Sequence, residues 1–246
     1  MAARDSRVSL LACDLDGTLL DDAGTPVRDV GAALRSLQQR GVLLTICTGR
    51  PLHAARRLAG LLPVSPDAYI CYHGSLVVDV ASGLWLKHLT VRPELVDLVL
   101  AECRTTELAV TLYVGDERRE LGEELDAPDG VTRLILRGDA QTADSAAASL
   151  RSKCGRRLRV EVTMPGIVDV LHGAADKGNA LLFLARRLGL HRGSIAACGD
   201  SESDITMLRA AALAIAVGDA SPDVCTVADR VVPQAGLAVV LRDLLP

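Results

Sequence analysis

Short apolar runs alternate with amphipathic segments over much of the chain. Val8–Cys13, Val42–Cys47 and Ser194–Cys198 are largely apolar and end at polar residues, a pattern typical of parallel strands that are buried on both faces. Between the first two runs, Val27–Gln39 places its apolar residues on one face at helical spacing. This order of strand, helix and strand predicts an α/β fold.

The alternation extends through most of the chain. Further strands are predicted at Ala68–Cys71, Leu76–Val80 and Ala214–Val217, and further helices at Pro51–Leu62, Lys177–Leu188, Ser203–Ala212 and Leu237–Leu244. The middle follows a different order, α-β-β-α-β-β. Its predicted elements are Pro93–Arg104, Leu108–Val114, Thr132–Arg137, Ala140–Cys154, Leu158–Thr163 and Val168–Leu171.

Strand pairs with short connections favour an antiparallel sheet with its helices on one face, which would form a separate small α+β domain. The acid-rich and glycine-rich segment Gly115–Gly130 is predicted to be a long loop inside it. We therefore predict a Rossmann-like parallel-sheet core formed by residues 1–84 and 172–246, with an inserted α+β domain at residues 85–171.

Composition narrows the function. Aromatic residues make up 2% of the 246 residues and the formal net charge is −4, so nucleic-acid binding is not expected. No segment approaches the roughly 20 apolar residues of a membrane helix, and no membrane association is expected. The seven cysteines include no C-x-x-C pair and favour reduced, buried thiols, which predicts a cytoplasmic protein.

The first predicted strand ends in Asp14-Leu15-Asp16-Gly17-Thr18, at the edge where open α/β sheets bind ligands. A divalent cation would hold two carboxylates ionised, while Asp14 attacks an electrophile and Asp16 transfers protons. Gly17 permits a tight turn. The alternative is an acidic turn in which an aspartate caps a helix, but the D-x-D-G-T pattern after a leading apolar strand favours the chemical interpretation.

Two further motifs carry groups that suit a phosphate. Thr48-Gly49-Arg50 follows the second strand, and its hydroxyl and backbone N–H groups would bind phosphate oxygens, although Thr48 alone would also suit a helix cap. Lys177 begins a predicted helix, where a cation opposes the helix dipole. Binding a phosphoryl group and a carboxylate would explain its position, and a solvated surface lysine is the alternative.

A fourth motif, Gly199-Asp200-Ser201-Glu202-Ser203-Asp204, follows another apolar strand. Its carboxylates would complete an oxygen-rich site suited to Mg²⁺. Acids at a helix N-terminus are also common without a metal. Because each of four strand ends carries a group that suits such a site, chance is a poor explanation of the pattern.

These four motifs, in this order, resemble the haloacid dehalogenase (HAD) superfamily over nearly the whole chain. The position of the insertion resembles a type II cap, and its element order is similar to the IIB subtype. Ile70–Gly74, Lys177–Leu181 and Asp204–Leu208 resemble the Cof-type sugar phosphatases. The resemblance implies a Mg²⁺-dependent phosphatase of small phosphorylated metabolites, most often sugar phosphates.

The resemblance also assigns roles. It implies that Asp14 is the nucleophile and a Mg²⁺ ligand, and that Asp16 is the general acid and base and offers its backbone carbonyl to the metal. Thr48 and Lys177 would bind the phosphoryl group, and Asp200 would ligate Mg²⁺.

The remaining roles are supporting ones. Asp204 would orient Lys177 or a metal-bound water, and Gly49 and Arg50 would contact the substrate. Ser203 and His73 stand where the family often has Asn. We expect Ser203 to change the hydrogen bonding around the metal, and His73 to be either a substrate contact or a polar turn residue.

Other functions remain open at this point. A phosphosugar mutase of the same fold, a phospho-accepting receiver-like module and a non-catalytic sugar-phosphate sensor would use similar residues. Asp16 and the large insertion argue against a receiver, and the complete set of motif side chains argues against a sensor. The protein is expected to be a monomer or a small homo-oligomer.

Overall fold

The structure is a computed structural model that describes residues 8–120 and 128–244. Its contacts divide the chain into two compact units. The first contains the residues up to Leu86 and from Asp176 onward, and the second is Lys87–Ala175. The sequence predicted the insertion at residues 85–171. The predicted start lies two residues before the observed one, and the predicted end lies four residues before it.

The first segment of the chain contains five strands and two helices. They are β1 (Leu10–Cys13), α1 (Val30–Gln39), β2 (Leu43–Cys47), α2 (Leu52–Ala59), β3 (Ala68–Cys71), β4 (Leu76–Asp79) and β5 (Trp85–His88). The insertion follows with α3 (Pro93–Thr106), β6 (Ala109–Val114), β7 (Glu117–Glu120), β8 (Val131–Arg137), α4 (Ala140–Cys154), β9 (Leu158–Met164) and β10 (Ile167–His172).

The strand and helix alternation then resumes. The last elements are α5 (Lys177–Arg187), β11 (Ile195–Gly199), α6 (Ile205–Ala210), β12 (Leu213–Val217), α7 (Pro222–Val227), β13 (Arg230–Val232) and α8 (Leu237–Asp243). None of the helices within the described ranges is long and apolar enough to cross a bilayer.

One sheet has the order β13-β12-β11-β1-β2-β3-β4-β5. The strands from β13 to β3 pair in parallel, whereas β3 and β4 pair antiparallel. The strand order runs in opposite directions from β1, through β2 to β3 on one side and through β11 to β13 on the other. Ligands of such sheets bind at this switch point, beyond the carboxyl ends of the strands.

The residues of β1 and β11 are all buried, as expected for central strands with helices on both faces. All seven cysteines are free thiols, and six of them, including Cys13, Cys47, Cys71 and Cys198, are buried. Burial of these thiols agrees with their predicted role as small apolar residues.

The second unit contains an antiparallel sheet with the order β7-β6-β8-β10-β9. Alternate residues of its strands, such as Leu112, Leu134 and Val170, join a core with apolar residues of α3 and α4. The opposite face is polar and carries ion pairs such as Arg133 with Asp169. The predicted α+β layering, with both helices on one face of the sheet, is confirmed.

Several predicted elements need correction. Gly115–Gly130 is not entirely a loop, because Glu117–Glu120 forms the edge strand β7; residues 121–127 lie outside the described ranges. Strand β5, helix α7 and strand β13 were not predicted. Strands β5 and β7 contain charged or exposed residues instead of an apolar run, and β13 is only three residues long.

Candidate active site

Asp14 lies directly after β1, and its backbone N–H donates to the carbonyl of Cys198 (3.0 Å). This bond continues the pairing of β1 with β11 and fixes the start of the loop. The Asp14 side chain is 8% exposed, and one of its carboxylate oxygens accepts a hydrogen bond from Lys177 Nζ (2.8 Å). A carboxylate this deeply buried requires a charged partner, which Lys177 provides.

Lys177 is the first residue of α5, and its side chain is 1% exposed. Its ammonium group also donates to Asp204 (2.6 Å). Asp176 caps the helix by accepting from the backbone N–H of Asn179 (2.6 Å). A Cβ atom at Gly178 would lie 2.2 Å from the carbonyl oxygen of Thr206, so this position admits only glycine. Because the Lys177 side chain is buried, the alternative of a solvated surface lysine is wrong.

The loop after β11 carries Asp200 and Asp204. Asp204 is fully buried and accepts from the backbone N–H groups of Asp200 (3.2 Å) and Ser201 (3.0 Å), while its other oxygen faces Lys177. Ser203 shares a hydrogen bond with the hydroxyl of Ser201 (2.9 Å). Asp204 therefore fixes both the loop and the ammonium group of Lys177.

The turn after β1 contacts the same loop. Thr18 Oγ1 donates to Asp200 (2.7 Å), which places that carboxylate beside the first motif. Gly17 has φ +77°, and a Cβ there would lie 2.4 Å from an Asp200 oxygen. The carbonyl of Gly17 accepts from the side-chain amide of Gln234 (2.8 Å). Gln234 was not predicted as a site residue, because no motif surrounds it.

Asp14, Asp200 and Asp204 form a carboxylate cluster in which one oxygen from each lies within 4.8 Å of the others. Burial raises the pKa of Asp14 from 3.8 to about 8, the neighbouring carboxylates add to the increase, and Lys177 opposes it. Burial likewise raises the pKa of Asp200 to about 6. These carboxylates are thus short of positive charge, which a bound cation would supply.

Burial alone would lower the pKa of Lys177. The carboxylates of Asp14 and Asp204 outweigh burial, and the pKa of Lys177 is raised. Lys177 is therefore a fixed cation and not a proton donor. It cannot neutralise three carboxylates alone.

Asp16, two residues beyond Asp14, lies outside this cluster. Both of its oxygens accept from Arg50, at 2.6 Å from Nε and 2.8 Å from Nη2. The side chains of Arg50 and Asp16 are 43% and 45% exposed. This bidentate pair connects the first motif with the second, and it leaves the Asp16 carboxylate accessible to solvent.

Thr48 follows β2 and is buried. Its hydroxyl accepts from the backbone N–H of Arg50 (3.2 Å), and it does not cap α2, whose N-cap is Pro51 without a side-chain hydrogen bond. The helix-cap alternative for Thr48 is therefore wrong. The hydroxyl closes the turn that presents Gly49 and Arg50.

A strained segment packs on this turn. Tyr72 and His73 both have positive φ, 50° and 53°, a conformation uncommon for residues with a Cβ. Their backbone N–H groups donate to the carbonyls of Arg50 (3.1 Å) and Thr48 (3.2 Å). A Cβ at Gly49 would lie 2.4 Å from His73 Nε2, so the imidazole lies directly over Gly49. His73 therefore borders the turn that was predicted to bind phosphate.

The structure brings most of the predicted site residues together at the carboxyl edge of one parallel sheet. Paired acids after β1, a buried lysine at the start of α5 and acids after β11 thus meet at the edge where such sheets bind ligands. The comparisons identify the family. A family model described as haloacid dehalogenase-like hydrolase matches residues 11–119 and 115–241, and the chain belongs to this family.

Two curated relatives cover almost the whole chain. A phosphoglycolate phosphatase of Methanopyrus kandleri is 30% identical over 242 residues, 96% of this chain and 97% of the relative. A 5-amino-6-(5-phospho-D-ribitylamino)uracil phosphatase of Bacillus subtilis is 26% identical over 243 residues, 97% of this chain and 96% of the relative. The chain is an enzyme of the phosphatase type.

A solved structure has the same fold. A haloacid dehalogenase-like hydrolase from Bacteroides thetaiotaomicron superposes with a TM-score of 0.89 at 22% identity, covering 97% of this chain and 100% of the other. The predicted fold class, a parallel-sheet core with an inserted α+β domain of type IIB, is confirmed.

Proposed function

We propose that this protein is a Mg²⁺-dependent phosphomonoester hydrolase that forms a phospho-aspartate on Asp14 and acts on a small phosphorylated metabolite, in particular a sugar or polyol phosphate. The observation that carries the proposal is the buried Asp14, held by Lys177 beside Asp200 and Asp204 at the edge of the sheet where ligands bind.

The carboxylate cluster fits a divalent cation. It combines three carboxylates with one ammonium group, and the pKa values of Asp14 and Asp200 are raised by burial and by repulsion from neighbouring carboxylates such as Asp204. Asp14 and Asp200 would hold Mg²⁺ together with the backbone carbonyl of Asp16, because Asp204 is already occupied by Lys177 and the loop. When bound, Mg²⁺ supplies positive charge to the phosphoryl oxygens.

In the first step an oxygen of the Asp14 carboxylate attacks the phosphorus atom in line with the departing oxygen. The new bond joins Asp14 to phosphorus, and the bond from phosphorus to the substrate oxygen breaks. The leaving alkoxide takes a proton from Asp16.

In the second step Asp16 accepts a proton from a water molecule that attacks the phosphorus of the acyl phosphate. The bond between Asp14 and phosphorus breaks, the Asp14 carboxylate is restored, and inorganic phosphate leaves. Asp16 suits both proton transfers because its side chain is 45% exposed and lies beside the cluster instead of within it.

The other residues bind and orient the phosphoryl group. Lys177 offers a fixed ammonium group to its oxygens, and Thr48 and Gly49 offer a hydroxyl and backbone N–H groups from the turn after β2. Arg50 would contact the substrate, which requires its pair with Asp16 to open. His73, packed on Gly49, would border the bound substrate.

Choice of substrate is proposed to rest on the second unit, Lys87–Ala175, which carries a polar sheet face. The named relatives support small phosphorylated compounds as the substrate class, since one is a phosphoglycolate phosphatase and the other a phosphoribitylamino-uracil phosphatase. The seven free thiols support a reducing compartment, the cytoplasm.

The test is phosphate release from a panel of sugar and polyol phosphates, phosphoglycolate among them, with and without Mg²⁺. Asp14→Asn keeps the side-chain size but removes the nucleophile, and we expect turnover to fall by at least about 10⁴-fold. Asp22→Asn changes an exposed acid in the same stretch of chain and is the matched control, with unchanged turnover.

Release that continues in Asp14→Asn would refute the phospho-aspartate. Release that persists after chelation of divalent cations would refute the metal requirement. A folded protein that releases no phosphate but interconverts sugar phosphates when given a bisphosphate activator would be a mutase.

A further inference from the structure

A cavity of about 250 Å³ is lined entirely by residues of the second unit. It is bounded by the start of α3, the 3₁₀ turn Gly155–Arg157 after α4, and the segment that follows β10. Its polar side chains are Arg92, Arg156, Arg157 and His172. No described residue that lines the cavity is acidic.

Two of these cations lack compensation. Within the part of the chain that the structure describes, Arg92 and Arg156 take part in no side-chain ion pair or hydrogen bond. Arg157 is fixed by its bonds to the carbonyls of Lys153 (2.9 Å) and Cys154 (3.2 Å). Arg92, Arg156 and Arg157 are exposed, so solvent screens their mutual repulsion, but an anion placed between them would be attracted by all three.

The position of Arg92 adds to the positive potential. It immediately precedes Pro93, the first residue of the 14-residue helix α3, and no side chain caps this helix end. A cation there opposes the helix dipole, whereas an anion would be favoured. Arg156 and Arg157 follow the C-terminus of α4, where cations are favourable without any ligand. Arg92 is therefore the informative member of the group.

His172 offers a neutral donor to the same cavity. Its Nδ1 accepts from the backbone N–H of Ala174 (3.0 Å), so in the neutral imidazole the proton resides on Nε2. Burial, followed by the charges of Arg92 and Lys87, lowers the pKa of His172. This lowered pKa favours the neutral imidazole, whose Nε2–H can donate to an anion.

The cavity wall is fixed by a close backbone contact. Gly173 donates its N–H to the carbonyl of Arg157 (3.0 Å), and a Cβ at Gly173 would lie 1.8 Å from the carbonyl oxygen of Arg156. Only glycine permits this approach, which holds the segment after β10 against the turn after α4. The backbone of Arg156 and Arg157 is therefore fixed beside the segment that carries His172.

We propose that this cavity binds a small phosphate-class oxyanion through Arg92, Arg156, Arg157 and His172, as a site belonging to the second unit alone. The anion joins three separate chain segments: the start of α3, the turn after α4 and the exit from β10. The site does not depend on phosphatase chemistry at Asp14, because it shares no residue with the carboxylate cluster around Asp14.

The test follows the imidazole Cε1–H signal of His172 by proton NMR during titration with inorganic phosphate at constant ionic strength and pH. His172→Gln assigns the signal by removing it. We expect a saturable shift in the wild-type protein and at least about tenfold weaker binding in Arg92→Gln and in Arg156→Gln, since each removes a charge-assisted hydrogen bond. The same titration with methylphosphonate tests whether the site accepts a phosphoryl group attached to carbon as well as free phosphate.

Arg104→Gln is the matched control, because Arg104 is an exposed arginine at the other end of α3. It should bind phosphate as the wild-type protein does. A shift that does not saturate overturns the proposal, and so does equal weakening in Arg92→Gln and Arg104→Gln. A shift that keeps its wild-type strength in Arg92→Gln would place the phosphate elsewhere and would also overturn the proposal. Circular dichroism verifies that each variant is folded.

Discussion

Asp14 and Asp16 are two residues apart, yet their surroundings are opposite. Asp14 is buried with Lys177 and two further carboxylates, and its pKa is raised to about 8. Asp16 is 45% exposed and paired with Arg50 through both oxygens. The cluster around Asp14 has too much negative charge for its cation, whereas the pair of Asp16 and Arg50 is balanced. Burial therefore separates the proposed metal-binding nucleophile, Asp14, from the proposed proton-transfer group, Asp16.

The largest expected effect on stability comes from Lys177→Met, which keeps the length of the side chain but removes the cation at the centre of the cluster. Two buried carboxylates would lose their positive partner, and breaking a buried pair in this way costs about 3–5 kcal/mol of stability. Turnover should fall by at least about 10³-fold, because the phosphoryl group also loses its ammonium contact.

Urea unfolding and phosphate release measure the two effects separately. Lys153→Met is the matched control, because Lys153 pairs with Glu102 at an exposed position of α4. Its free energy of unfolding should change by less than about 1 kcal/mol. If Lys177→Met were as stable as Lys153→Met, the buried cluster would not have the energetics inferred here.

The second prediction concerns Asp16→Asn. The amide can still accept one hydrogen bond from Arg50 but cannot transfer protons, so we expect kcat to fall by about 10²–10⁴-fold with little change in stability. A substrate with a good leaving group, such as p-nitrophenyl phosphate, needs no proton and should lose less in the first step. Equal loss with alkyl and nitrophenyl phosphates in single-turnover measurements of that step would argue against Asp16 as the acid.

How much of this site the sequence predicts depends on the kind of residue. Asp14, Thr48, Lys177 and Asp200 follow apolar strands or start a patterned helix, and parallel strands bring their carboxyl ends to one edge. The motifs alone could therefore group them. Helix α4 was likewise predicted with its exact bounds, because Asp139 caps it and Gly155 ends it.

Other features depend on tertiary contacts that leave no local pattern. The bond from Gln234 to Gly17 joins residues 217 positions apart, and the pairing of Asp16 with Arg50 spans 34. The charged edge strand β7 pairs only because β6 offers it a free edge. Such contacts follow from how the elements assemble, which periodicity does not encode.

The third prediction is that Mg²⁺ raises the Tm of the protein more at about pH 8 than at about pH 5. The folded-state pKa of Asp14 is raised from 3.8 to about 8, so the fold favours its protonated form. Stability of the metal-free protein should therefore fall as the pH rises from about 4 to about 8, because in the folded protein Asp200 ionises only near pH 6 and Asp14 only near pH 8. Mg²⁺ restores stability by binding the ionised carboxylates.

Thermal unfolding at both pH values, with Mg²⁺ or with chelator, measures this difference. In Asp14→Asn the carboxyl group that titrates is absent, and the difference between the two pH values should shrink. An equal gain in Tm at both pH values in the wild-type protein would contradict a metal site built on Asp14.

The smallest effect on stability is expected for the exposed pair of Asp16 and Arg50. Arg50→Gln removes the bidentate pair with Asp16, but the pair is more than two-fifths exposed, and solvent screening limits its contribution to less than about 1 kcal/mol. Activity should change more than stability: KM should rise several-fold if Arg50 leaves Asp16 to contact the substrate. Arg28→Gln, at a side chain 93% exposed, is the control and should change neither quantity. A loss of stability in Arg50→Gln approaching that of Lys177→Met would show that the two acidic groups are not energetically distinct, and the division of roles between Asp14 and Asp16 would then lose its physical basis.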